Sequence, residues 1–179
     1  MPGGPTEART SLMTRTMSDV EARALLSAGR VGRLGCVVKG EPYVLPINYV
    51  FIVGSIYSHS LPGRKIAALR AYARACLQVD EITDELRWRS VVAFGNFEEI
   101  DDNLQRARVL RKMLRRFPLL TPVESRVSGE AVPPRMIVFR LRIDCVTGVA
   151  EESDDGAYSR AMKEHQTCAL AEPRGEEGK

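Results

Sequence analysis

The sequence predicts a mainly antiparallel β-barrel with flanking helices, and three observations carry that expectation. Between residues 42 and 53 the odd positions Tyr43, Leu45, Ile47, Tyr49, Phe51 and Val53 are all apolar. Side chains two residues apart share one face of a strand, so this period describes extended chain with one fully buried face. Further apolar runs at 30–38, 73–82, 88–100 and 135–149 are separated by turn residues or single helical stretches. Such sparse helices suit strands closing around an apolar interior better than a doubly wound sheet. Neither a G-x-G-x-x-G nor a G-x-x-x-x-G-K-[ST] loop is present, which argues against Rossmann and P-loop folds.

With 179 residues and 44% hydrophobic content, the chain is long enough for one sizeable core. The expected division is a tail at 1–14, one domain at 15–149, and a tail at 150–179 with a short helix near 157–164. A net charge of +3 favours no partner, and no run approaches the ~18 apolar residues of a membrane span. The start, MPGGPTEART, lacks the apolar centre of a secretory signal. Cys36, Cys76, Cys145 and Cys168 form no C-x-x-C pair and no zinc spacing, so reduced thiols and a cytoplasmic location are expected. No metal site is expected.

In chain order, Ser18 and Glu21 form an S-x-x-E capping box that opens a helix through Ala28, ended by Gly29. Its expected buried residues are Val20, Ala24, Leu25 and Ala28. A first strand follows with Gly32 and Gly35 at bends or close approaches, and Lys39-Gly40 makes a hairpin turn into the central stretch. Pro46 has no amide proton, so it marks a bulge or a sheet edge and leaves neighbouring peptide groups free. Gly54-Ser55 turns the chain again. After a helix from Arg64, the 73–82 strand buries Ala75, Leu77 and Val79, and the 88–100 strand is expected to be the longest. A second long helix spans Asp102 to Phe117, with Leu104, Ala107, Leu110, Met113 or Leu114, and Phe117 on its apolar side. A loop at 121–134 leads to a last strand, where Ile137, Phe139, Leu141, Ile143 and Cys145 face the core and Val138, Arg140, Arg142 and Asp144 face water.

The central stretch ends in Ser58-His59-Ser60, a Pro-Gly turn, and a helix whose first turn carries Arg64 and Lys65. Cations at a helix N-terminus oppose the macrodipole by about 0.3–1 kcal/mol each. An anion bound there reverses the balance, through the free first-turn amides and both cations. Ser58, His59, Ser60, Arg64 and Lys65 are therefore read as a phosphate cradle. The competing reading is that the two cations are solvated surface charge.

The segments PYVLPINYVF, IYSHSLPGRKIAALR, CLQVDE and WRSVVAFGNFEEID, in that order, resemble the pyridoxamine 5′-phosphate oxidase-related flavin-binding proteins, above all the nitroimidazole-resistance-type branch. The resemblance runs from about Arg15 to Val149. It implies a six-stranded split barrel and a homodimer holding FMN in a cleft between subunits. It further implies phosphate binding at the His-Ser and Gly-Arg-Lys positions, and flavin-ring binding along Leu45, Pro46, Ile47, Asn48 and Tyr49. The implied chemistry is reduction of a small acceptor, such as a nitroaromatic, by NAD(P)H. The same architecture holds deazaflavin F420 or haem in other proteins, and His59 is then the first candidate haem ligand.

Several residues have two readings. Trp88 is either a buried anchor or an aromatic wall of the flavin cleft supplied across the dimer. Asn48 and Ser90 are candidates for bonds to ring or ribityl oxygens. His59 with Cys36 or Cys76 has no spacing that supports a thiol nucleophile. His165 and Cys168 provide two ligands where structural zinc wants four. Arg106, Arg108, Arg111, Lys112, Arg115 and Arg116 form an acid-free helical run. Without interleaved aromatic residues it reads as a solvated face, and no nucleic-acid or membrane partner is expected.

Overall fold

The computed structural model describes residues 13–117 and 136–152. The proposed helix at 157–164, the 121–134 loop, His165 and Cys168 lie outside them. The elements run β1 (Met13–Thr16), α1 (Asp19–Ala28), β2 (Val31–Val38), β3 (Glu41–Asn48), β4 (Val50–Ile52), β5 (Ser55–Ser60), α2 (Arg64–Ala71), β6 (Arg74–Asp84), β7 (Arg87–Glu99), α3 (Asn103–Arg116) and β8 (Ile137–Glu152). Eight strands form one sheet in the order β3-β2-β6-β7-β8-β5-β4, with β1 pairing β8, and every pairing is antiparallel. This is the mainly β architecture expected, with two strands more than the six anticipated. Because β3 and β4 stand at opposite ends of that order yet are joined through Tyr49, the sheet must curl round toward closure. The longest strand is β8, with 16 residues, rather than β7 with 13.

Local chemistry explains most boundaries. Ser18 and Glu21 complete the capping box of α1. Gly29 ends that helix in extended backbone, and its missing side chain matters for space: a Cβ there would lie 2.5 Å from the Tyr49 hydroxyl. That hydroxyl donates to the Leu26 carbonyl at 2.7 Å inside the core. The buried face of α1 is Ala22, Leu25 and Leu26, so the expected stripe through Val20, Ala24 and Ala28 is corrected; all three are exposed. Lys39 and Gly40 take positive φ in the β2–β3 turn, as their sequence suggests. The next turn falls on Val53-Gly54, one residue earlier than expected, and holds an exposed valine at φ 42°.

Two apolar clusters form. The larger fills the barrel and is closed by α1 and α2; the smaller lies under α3 against Val50, Val138 and Met136. The smaller cluster corrects the reading of β8, because Val138 is fully buried on the face expected to be wet. At the other end of β8 the alternation breaks. Phe94 pairs with Cys145 and Gly95 with Ile143, so Asp144 is the extra residue of a bulge. Cys145 is exposed as a result, Cys76 is half-buried, and only Cys36 is a buried thiol among the described residues. Leu104 is also exposed, and Val109 takes a place beside Leu110 and Met113 on the buried side of α3.

Candidate functional site

The expected anion site lies where α2 begins, between the β5 end and the helix. Gly63 occupies the N-cap position and supplies no side-chain bond, and the first turn of α2 contains no acid. Its amides therefore have no capping acceptor from the protein side chains described. Lys65 is half-buried beside Cys36. Burial pushes the Lys65 ammonium below the usual lysine range, with Cys36 acting in the opposite sense. Burial pushes the Cys36 thiol up, helped by Cys76 and opposed by Lys65. The Arg64 guanidinium sits 5.1 Å from the ring centroid of Tyr43, a cation–π contact.

Charge pairing separates these two residues from the arginines of the sheet, all of which face a carboxylate. Arg33 pairs with Asp80, Arg70 with Glu99, Arg74 with Asp144, and both Arg140 and Arg142 with Glu98. Arg64 and Lys65 have no carboxylate partner among the described residues. Two adjacent cations, one of them partly desolvated, stand at an uncapped helix start; both features favour an anion there.

Two clefts flank the β2–β3 hairpin near this point. One, of ≈ 500 Å³, runs along α2 between Arg64, Ala67 and Ala71 on one side and Val37, Val38 and Lys39 on the other. The second, of ≈ 410 Å³, has Cys36, Tyr43, Val44, Tyr72, Cys76 and Phe94 in its walls. Tyr43, lying under Arg64, and Lys39 belong to this region although the sequence reading used them only as core and turn. The spacing offered no hint that a hairpin tip would lie against α2.

The residues of the expected cradle divide between two faces. Ser58 pairs with Phe139 and Ser60 with Ile137, both in the barrel cluster, whereas His59 pairs with Val138 under α3. Ser58 is buried and its hydroxyl donates to the Asn48 carbonyl at 2.7 Å; the Ser60 hydroxyl donates to the Leu61 carbonyl at 2.8 Å. The His59 Nδ1 lies 3.3 Å from the Met113 Sδ of α3. Period-2 alternation forces this, so His59 is corrected from cradle member to a residue packed against α3, and its standing as first haem ligand goes with it.

Along the proposed ring-binding strand, Pro46 confirms the edge its chemistry demands, because β3 ends the sheet order. Among the described residues no strand pairs with the outer edge of β3, so peptide groups near Leu45 and Ile47 are available to a ligand. Leu45 is half-buried and Ile47 buried in the barrel; Asn48 is half-buried. Tyr49 is corrected: it is fully buried, its hydroxyl is spent on Leu26, and burial pushes its pKa up to about 12.

Trp88 and Ser90 lie on β7 six and four residues from Phe94, roughly 20 Å and 14 Å along the strand at ~3.4 Å per residue. Trp88 is half-buried in a recess with Glu81, Arg89 and Glu151, and the Ser90 hydroxyl accepts from Gln78 at 3.0 Å. Within one chain neither residue joins Arg64 and Lys65. In the basic run of α3, Arg106 donates to the Ile100 and Met136 carbonyls, and Arg116 donates to the carbonyls of Ser27, Ala28 and Gly29. These two arginines tie α3 to the barrel and to α1, while Arg108, Arg111, Lys112 and Arg115 are exposed. Among the described residues no His, Cys, Asp and Glu cluster could hold a metal, and no helix is long and apolar enough to cross a membrane.

Comparison with known proteins bears on this geometry. A family model described as pyridoxamine 5′-phosphate oxidase matches residues 18–150. The uncharacterized protein RA0666 of Rhizobium meliloti is 30% identical over 148 residues, covering 78% of this chain and 96% of that protein. A solved FAD-binding protein from Mesorhizobium loti is 34% identical with a TM-score of 0.65, covering 77% of this chain and 98% of its own. A solved 5-nitroimidazole antibiotic resistance protein from Bacteroides thetaiotaomicron, named as such only by inference, has a TM-score of 0.64 at 19% identity, covering 80% and 90% of the two chains. That last likeness speaks for the fold alone.

Proposed function

Because the chain belongs to the pyridoxamine 5′-phosphate oxidase family, we propose that it binds a flavin nucleotide through its phosphate at the start of α2 and serves as a flavin-dependent oxidoreductase. The observation that carries this reading is the pair Arg64 and Lys65, without carboxylate partners among the described residues, at a helix start that no side chain caps. The name of the Mesorhizobium loti relative, an FAD-binding protein, supports a flavin over haem or F420. The FMN unit, common to FMN and FAD, is the part this site accommodates.

The residues present fit such a group. Lys65 and the first-turn amides of α2 would hold the phosphate, and Arg64, fixed over Tyr43, would add the second charge. The free edge of β3 near Leu45 and Ile47 would bond the polar edge of the ring, with the Asn48 side chain nearby. When bound, the flavin supplies the hydride chemistry, accepting from NAD(P)H and passing reducing equivalents to a small acceptor such as a nitroaromatic. The protein's own contribution is to bind, orient and shield.

A homodimer completes the reading. Val44, Ile82 and Val149 are exposed on the outer side of the sheet, and Val92, Phe94 and Trp88 are half-buried there. A second subunit on that face would bury them and bring its own Trp88 and Ser90 toward the cleft that one chain leaves open. The test is anaerobic addition of NAD(P)H to the flavin-loaded protein: bleaching of the flavin supports the oxidoreductase, and no bleaching with either nucleotide reduces the reading to a binding module.

A further inference from the structure

We propose that the exposed side of α3 is a docking face for a small acidic electron-carrier protein, which delivers electrons to the bound flavin; the delivery step rests on the flavin reading. Arg108, Arg111, Lys112 and Arg115 are all exposed and occur at i, i+3, i+4 and i+7, a stripe about 10 Å long at ~1.5 Å per residue. None has a carboxylate partner among the described residues. By contrast, Arg23 of α1 pairs with Asp19, and Arg70 of α2 with Glu99. Neighbours on the stripe repel one another, since like charges one turn apart destabilise a helix. The macrodipole favours cations only in the last turn, so it accounts for Arg115 and leaves the other three unexplained. An anionic partner relieves all four.

The size and surroundings of the stripe select the partner. Four cations, with the exposed Leu104 one turn before them, fall well short of the roughly 20–30 residues a side of a stable complex. A patch this small and this charged suits a transient redox encounter, in which charge speeds the meeting of the partners more than it holds them. Asp101 and Asp102, exposed where α3 begins, set like charge against a nucleic-acid backbone or an anionic bilayer laid along the helix. A folded acidic protein can place carboxylates on the cations alone. The position of α3 fits the task. On its buried side the Met113 Sδ meets the His59 Nδ1 of β5 at 3.3 Å. Arg106 donates to the Met136 carbonyl at 2.7 Å, beside the Ile137–Ser60 pair that ends β5. The stripe therefore stands one helix diameter, ~10–12 Å, outside the strand that runs into Arg64 and Lys65. Each encounter passes one electron. Two encounters, with two protons from water, take the flavin from its oxidised to its fully reduced form while two carrier molecules are oxidised.

The experiment is carbodiimide cross-linking of the flavin-free full-length chain to an acidic two-iron ferredoxin as the probe, followed by mass mapping. The reagent activates a ferredoxin carboxylate, and the Lys112 amine displaces the activating group to form an amide. The product is expected at Lys112 and should fall at least about tenfold between roughly 0.05 and 0.5 M salt. The double variant Arg111→Glu and Arg115→Glu keeps Lys112 and should lose the product, with circular dichroism and thermal melting checking that it folds. In anaerobic stopped flow, reduced ferredoxin should reduce the FMN-loaded variant at least about tenfold more slowly than wild type. FMN affinity and the response to NAD(P)H should stay unchanged. No product at Lys112, a product that survives the charge reversal, or reduction at equal rates overturns the proposal. Duplex DNA or phosphatidylglycerol vesicles that bind wild type and not the variant, where ferredoxin binds neither, overturn it too. Cross-linking at Lys112 in a chain that binds no flavin supports the docking face and overturns the flavin reading instead.

Discussion

Replacing Lys65 with methionine should move stability and cofactor affinity in opposite directions. The variant keeps an unbranched apolar stem and removes only the charge. In the folded chain that charge is partly desolvated, which is why its pKa falls below the ordinary lysine value of 10.5. Between the lowered folded pKa and the unfolded value, the unfolded chain holds more protons than the fold. Stability of the flavin-free wild type therefore rises with pH across that alkaline window, as the buried charge is relieved. Lys65→Met should abolish this slope and melt higher than wild type at neutral pH. Flavin binding should fall, because a hydrogen bond to a charged group is worth about 1.5–3 kcal/mol, equivalent to about 10- to 150-fold in affinity. Differential scanning fluorimetry of the flavin-free proteins and fluorescence titration with FMN measure the two effects. An unchanged dissociation constant, or a variant that melts lower, refutes the assignment of Lys65 as a desolvated anion-binding cation.

Three further outcomes follow from the packing. Arg116→Met removes the donor that bonds three carbonyls at the end of α1 and should cost about 1.5–3 kcal/mol in a denaturant melt. Val53→Asn at the exposed left-handed turn position should stabilise by about 1 kcal/mol, because a β-branched residue is strained there and asparagine tolerates it. Glu21 is held at about 2, first by its bond from Arg15 and then by those from Ser18. Its contribution is present above the ordinary value of 4.5 and is lost as pH falls through about 2, so Glu21→Gln should differ from wild type near neutrality and converge with it in strong acid.

What the sequence made legible was local. Ser18 and Glu21 declare a helix start, Lys39-Gly40 a tight turn, Pro46 an edge, and Arg64-Lys65 a helix N-terminus with the wrong charge. Each needs only neighbouring residues to be read. The period of two also contained the answer for Ser58, His59 and Ser60, since three consecutive strand residues cannot share a face. What stayed hidden depends on distant partners. The bulge at Asp144 arises where Gly95 packs so tightly that a Cβ would meet the Arg142 carbonyl oxygen at 2.3 Å. That contact joins β7 to β8 and cannot be seen in either alone. Burial of Val138 likewise needs α3 laid across β8, and the groove beside α2 needs the tip of the β2–β3 hairpin brought to it.

The phosphate is the part of the ligand on which the account turns, so the most direct measurement compares a flavin with and without it. Titrating the flavin-free protein with FMN and with riboflavin isolates that group, and added inorganic phosphate serves as competitor. FMN should bind one to two orders of magnitude more tightly, about 1.5–3 kcal/mol, and phosphate should weaken FMN but not riboflavin. Riboflavin binding as tightly as FMN, or FMN binding indifferent to phosphate, would contradict an anion site at Arg64 and Lys65.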